Sequence, residues 1–195
     1  VSSEHREQRR SDILAAARRC FARSGFSATL QDVFTESGLS AGCVYSYFQS
    51  KHDLVLAIAE ERHVVERLVL EAVAEQTDSL GAIKMMMRRI FETYLTEAAE
   101  ETRRLALITW SEALFDEAVF ASAREGMGRP RTMLMMLLKR GQADGTVRKD
   151  VDPEAMAAAM VSMFQGLLLQ KIWDPSISLK AIIQSCEQLL EGVRA

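Results

Sequence analysis

The 195 residues carry 24 Lys and Arg against 27 Asp and Glu, a formal net charge of −3, and 48% of them are hydrophobic. That is globular composition, with enough apolar residues for one sizeable core or a small domain stacked on a larger one, and it excludes a disordered chain. It also excludes binding to nucleic acid through a global excess of positive charge. The charge is unevenly spread, however. Residues 1–52 hold Arg6, Arg9, Arg10, Arg18, Arg19, Arg23 and Lys51 against Glu4, Glu7, Asp12, Asp32 and Glu36, so this segment is +2 and the remainder −5. Cys20, Cys43 and Cys186 lie far apart, with no CxxC and no leader-like N-terminus, which predicts a reducing, cytoplasmic setting. No apolar run is read as reaching the roughly 20 residues of a membrane span, so no membrane partner is expected.

Apolar residues recur at three- and four-residue spacing almost throughout, and strand-like alternation is scarce, which predicts an all-α fold. Ile13, Leu14, Ala17, Cys20 and Phe21 share one face of a first helix that stops near Gly25. A short second helix follows Thr29, whose hydroxyl is placed to cap it. Ser37-Gly38-Leu39-Ser40 breaks that helix and starts a third over Ala41 to Phe48. Ser50 caps a long fourth helix from Lys51 to about Gln76. Five more helices are predicted over 79–98, 102–115, 117–141, 153–172 and 176–192. Ala143-Asp144-Gly145, Asp152-Pro153 and Asp174-Pro175-Ser176 mark corners between them. The expected organisation is a domain over 1–52 and a helical bundle over 53–195, joined by the long helix.

Two short helices around a glycine-containing turn, from Leu30 to Phe48, form a helix-turn-helix plan. Its second helix is of a size to enter the roughly 12 Å wide major groove. Leu30, Val33, Phe34, Leu39, Val44 and Phe48 face inward in this reading; Ala41, Gly42, Cys43, Tyr45, Ser46 and Tyr47 face outward. Small residues at the helix start allow close approach to base edges, and the two phenols offer hydroxyls to phosphates. Without this context Tyr45 and Tyr47 read as core aromatics, and Lys51 as a solvated surface lysine.

The run Ile13-Leu14-x-Ala16-Ala17-x-x-x-Phe21-x-x-x-Gly25-Phe26-x-x-Thr29 resembles the first helix and turn of TetR (tetracycline-repressor) family regulators. The likeness continues through Val33-x-x-x-Ser37-Gly38-Leu39-Ser40-x-Gly42-x-Val44-Tyr45-x-Tyr47-Phe48-x-Ser50-Lys51-x-x-Leu54. It implies a ligand-responsive transcriptional repressor that binds a palindromic operator in double-stranded DNA as a homodimer. By the same resemblance Thr29 bonds phosphate, Ala41, Gly42 and Cys43 lie near base edges, Tyr45 and Tyr47 contact phosphates, and Lys51 adds a charge. Arginines of the first helix add further phosphate or minor-groove contacts. Two positions depart from the family pattern. Phe34 replaces the usual alanine between the two helices and is expected to shift the recognition helix. Tyr47 stands where histidine is common, which keeps a hydrogen-bond donor.

In the bundle, Met86, Ile90, Tyr94, Trp110, Met133, Leu137 and Met163 are candidates for a mostly apolar effector pocket, because methionine fills adaptable cavities as readily as cores. That content favours an apolar or aromatic small molecule, while Glu92, Glu97 and Glu112 leave a cationic one open. The last two helices carry more apolar surface than one bundle needs, and small residues at Ala157, Ala158 and Gly166 permit close approach. Ala157, Met160, Phe164, Ile182, Cys186 and Leu189 are therefore expected at a dimer interface, by resemblance a four-helix one. No catalytic, metal or cofactor constellation is found: His5, His52 and His63 are scattered, and Gly126-Met127-Gly128-Arg129 is too short for a phosphate loop. The expectation is a regulator and not an enzyme, with a helical protein–protein adaptor as the rival reading.

Overall fold

A computed structural model describes residues 3–195 and contains nine α-helices among them. The first is α1, Ser3–Ser24, which buries Ile13, Leu14, Ala16, Ala17, Cys20 and Phe21 and leaves most of its first ten residues exposed. A single 3-10 turn follows, and then α2, Leu30–Ser37. Thr29 caps α2 reciprocally: the Asp32 N–H donates to the Thr29 hydroxyl oxygen at 3.2 Å, while the Thr29 N–H donates to the Asp32 carboxylate at 2.7 Å. Gly38 ends α2 at φ +67°, a left-handed conformation in which a side chain would be strained. Ser40 then caps α3, Ala41–Tyr45, by accepting the Cys43 N–H.

This helix is three residues shorter than the spacing predicts. The Ser46 hydroxyl donates to the Cys43 carbonyl at 2.6 Å, and the chain passes through Ser46 and Tyr47 as a turn. Ser50 and Asp53 form a second reciprocal cap that starts α4, Lys51–Ala74. Next come α5, Ser79–Leu95, capped by Asp78; α6, Glu100–Glu112, behind a short 3-10 turn; and α7, Glu117–Asp144, which runs unbroken through Gly126, Gly128 and Pro130. Asp152 caps α8, Pro153–Trp173, with proline at its first position. The last helix, α9, Leu179–Glu191, is capped by Ser178 and starts after it, not at residue 176. The cause is local: Asp174 accepts from both the N–H and hydroxyl of Ser176, and the Lys171 ammonium donates to the carbonyls of Pro175 and Ile177, closing a corner.

The chain divides into two compact units. One takes in residues up to Arg62 together with Arg104–Ala123; the other comprises His63–Arg103 and Arg124–Ala195. The first is built on Ile13, Leu14, Phe21, Val33, Val44, Phe48, Leu54, Leu105 and Val119, so the α6–α7 corner belongs to the same core as the helix-turn-helix. The second is built on Val73, Leu80, Ile83, Met86, Leu137, Leu138, Ala157 and Leu190. One expectation is corrected: α8, at 21 residues, is long and apolar enough by length and composition to cross a membrane. Ser162, Gln165 and Gly166 interrupt the apolar run along the sequence, and only once the helix ends are fixed is the span complete. Ala157, Leu168 and Lys171 are its buried residues.

Candidate nucleic-acid interface

The helix-turn-helix presents the tip of α3 to solvent. Ala41, Gly42, Tyr45 and Ser46 are exposed, Cys43 and Tyr47 partly so, while Val44 and Phe48 are buried, as the inward and outward sets require. A Cβ placed on Gly42 would meet nothing within 4 Å, so the backbone here is open to a close partner. Leu30, Phe34 and Leu39 pack partly buried against the core.

The carried-over phosphate contacts fare differently. The Thr29 hydroxyl donates to the Asp32 carboxylate at 2.8 Å, so a phosphate arriving at the start of α2 meets an occupied cap and a negative charge. The Thr29 N–H, then the Thr29 hydroxyl, hold the Asp32 carboxyl below its usual range. Lys51 donates to the Phe26 carbonyl at 2.5 Å and lies over the Phe26 ring at 5.3 Å, which ties the start of α4 to the turn after α1. Arg19 and Arg23 pair with Glu36 of α2, at 2.7 Å and 3.3 Å, and lower its pKa in that order. Arg18 pairs with Glu61 of α4. Four of the seven basic side chains of residues 1–52 are thus engaged in holding this unit together.

The other three, Arg6, Arg9 and Arg10, occupy the largely exposed first half of α1. Arg6 sits over the Tyr47 ring at 5.9 Å, and Arg10 over the Phe48 ring at 5.5 Å. This brings two cations from α1 beside the segment that follows α3. Sequence reasoning named the first-helix arginines only as a group; the i, i+4 spacing of Arg6 and Arg10 was the signal that they share a face.

Residues 13–58 match the family model described as bacterial regulatory proteins, tetR family, and residues 84–195, more than half of the chain, match that of the BetI-type transcriptional repressor C-terminal domain. The chain belongs to the tetR family of bacterial regulatory proteins. It is 24% identical over 177 residues to the HTH-type transcriptional regulator TtgR of Pseudomonas putida, covering 86% of this chain and 81% of TtgR. It is 27% identical over 173 residues to the HTH-type transcriptional repressor AcnR of Corynebacterium jeikeium, covering 86% and 84%. Among solved structures, a transcriptional regulator from Saccharomonospora viridis in complex with choline superposes with a TM-score of 0.82 at 21% identity, over 97% of this chain and 98% of that one. SmeT, the repressor of the Stenotrophomonas maltophilia multidrug efflux pump SmeDEF, gives 0.76 at 22%, over 95% and 90%. This TetR-family member is a DNA-binding transcriptional regulator, and the adaptor reading is not supported.

The regulator's candidate effector residues are only partly brought together. Met86, Tyr94 and Leu137 are buried in the second unit, with Ile90 and Met133 partly buried beside them. Met163 is half-buried, its sulfur 4.0 Å from the Cys186 sulfur. Trp110 falls in the first unit, with its indole N–H buried and unpaired among the described residues. Two features were missed in the sequence. Glu66 accepts a hydrogen bond from the Tyr94 hydroxyl at 3.0 Å, and Phe164 packs against both Phe91 and Tyr94, at 6.2 Å and 5.4 Å between ring centroids. Glu92 and Glu97 are exposed. An open groove of about 520 Å³ is lined by Gly81, Lys84, Met85, Arg88, Arg89, Glu92 and Glu187; it contains Glu92 but none of the seven candidate apolar-pocket residues.

Of the six candidate interface residues, Ala157, Ile182 and Cys186 are buried inside their own chain, and Met160 and Phe164 are half-buried. Burial raises the Cys186 thiol's pKa, which keeps it a neutral packing group. Leu189 is 67% exposed. On α8 the exposed positions are Glu154, Ala155, Ala159, Ser162, Gly166, Gln170 and Trp173, so the outward small-residue stripe runs beside Ala157 and not through it.

Proposed function

We propose that this regulator is a cytoplasmic homodimeric repressor, released from a palindromic operator when a small molecule binds its larger helical part. The observation that carries the DNA reading is the open tip of α3 at Ala41, Gly42 and Cys43, flanked by Tyr45 and Tyr47 with Arg6 beside them. In this reading residues 1–52 read the operator and 53–195 dimerise and bind the effector. Ala41, Gly42 and Cys43 meet base edges, while Tyr45, Tyr47 and Arg6 meet phosphates. Thr29 joins them once its hydroxyl leaves Asp32. Repression is favoured over activation because AcnR and the BetI-type model are both named repressors.

Two-fold symmetry suits a palindrome, with recognition helices about 34–36 Å apart in successive major grooves. The stripe Ala155, Ala159, Ser162 and Gly166 on α8, with Leu189 on α9, is the surface best suited to a second copy. It is exposed, apolar or small, and helical in spacing. Effector binding among Met86, Ile90, Tyr94, Met133, Leu137 and Met163 shifts α4 and with it the spacing of the heads. Coupling of about 1–3 kcal/mol is enough for control. The lining favours an apolar or aromatic molecule.

The test is selection of random double-stranded DNA on purified protein at moderate salt. An enriched palindrome is the expected result and supplies the probe for effector screening. Salt-sensitive bulk binding without enrichment, or no binding, overturns the operator reading.

A further inference from the structure

The recognition helix has five residues and ends at Tyr45, which is 43% exposed. A phenol at an exposed helix end rotates freely about its Cα–Cβ bond unless a neighbour holds it, and ordering it on binding costs affinity. Here a neighbour holds it. The ring of Phe34, from α2, lies edge-to-face with that of Tyr45, centroids 5.5 Å apart and planes at 65°. Phe34 is itself partly buried against the core of the reading head. The helix bearing it is anchored at both ends, by the reciprocal cap at Thr29 and by Glu36 between Arg19 and Arg23. Beyond Tyr45, the Gln49 side-chain amide donates to the Tyr45 carbonyl at 2.9 Å and steadies the backbone. The phenol therefore stands against a wall that does not move with it. Tyr47 is held differently, by the Arg6 cation over its face.

We propose that Phe34 is a positioning residue for operator recognition, holding the Tyr45 ring so that its hydroxyl is presented to the DNA backbone before DNA arrives. This rests on the reading of α3 as the recognition helix. Phe34 touches no DNA in this account and acts only through Tyr45. Losing the wall returns rotational freedom to one side chain, which weakens operator binding about 2- to 12-fold.

The experiment is a double-mutant cycle read by fluorescence anisotropy on the duplex enriched from the random pool. The variants are F34L, Y45F and F34L/Y45F, with F34M beside F34L in case leucine unfolds the head. Y45F keeps the ring pair and removes only the hydroxyl. The expected result is that F34L and Y45F each weaken binding, while the double variant binds no more weakly than Y45F alone. Urea melts should show the F34L stability loss equally in both backgrounds, because packing is not routed through the hydroxyl. Full persistence of the F34L affinity loss in the Y45F background overturns the proposal, as does wild-type affinity in F34L and F34M. A wild-type protein that enriches no duplex overturns the DNA reading beneath it, and the two failures are thereby told apart.

Discussion

Gly166→Leu should move two measurements in opposite directions. Gly166 lies mid-way along the exposed stripe of α8, and a Cβ there meets no atom within 4 Å in the chain. Within one protomer a leucine is therefore free of clashes, and replacing glycine in an exposed helix interior stabilises it by about 0.5–1 kcal/mol. In the proposed dimer the same residue sits in a close helix seam. Overpacking costs about 1–3 kcal/mol per site, and two-fold symmetry doubles it to about 2–6 kcal/mol. At about 1.4 kcal/mol per factor of ten, the dimer dissociation constant rises roughly 30-fold to 10⁴-fold. Sedimentation over a dilution series reads the second effect, and urea melts at concentrations where both proteins are monomeric read the first. A G166L protein that dimerises as tightly as wild type refutes the assignment of this face to the interface.

Leu189→Gln tests the same interface from α9: with the side chain 67% exposed, protomer stability should change by less than about 0.5 kcal/mol while dimerisation weakens. R6A and R10A should each reduce the slope of log affinity against log salt by about 0.9, a salt titration that leaves the slope unchanged removing both from the phosphate contacts. Ser40→Ala removes the cap of the five-residue α3 and should cost about 1 kcal/mol in urea melts, with operator affinity falling alongside. Arg194 and then Lys84 hold the Glu191 carboxyl at about 2, against an ordinary 4.5. A depressed carboxylate stabilises the fold above its unfolded pKa, so this contribution is complete at neutral pH and lost as pH falls from 4.5 towards about 2. The stability gap between wild type and E191Q should narrow over that window; a gap independent of pH contradicts the pairing.

Most of the fold was legible because helix ends carry their own chemistry. Thr29, Ser40, Ser50 and Asp152 each announce a helix start that local hydrogen bonds complete. The misplaced ends fail for an equally local reason, since polar side chains compete for backbone groups: Ser46 shortens α3, and Asp174 with Lys171 delays α9. The tip of α3 was legible through motif spacing, and its exposed residues are those anticipated. What the basic side chains do was not legible. Lys51, Arg18, Arg19 and Arg23 look alike as charges, yet each is engaged by a carbonyl or carboxylate from another element.

By itself the sequence determined the helical architecture, the helix-turn-helix and the family, because these rest on periodicity, caps and motif spacing within short stretches of chain. Only the tertiary structure decided that Phe34 faces Tyr45, that Arg6 covers Tyr47, that Phe164 turns inward to Phe91 and Tyr94, and that the outward stripe of α8 runs through Ala159 and Gly166. The physical reason is rotational. Spacing along a helix says which residues share a face, but packing against other helices decides which face turns inward.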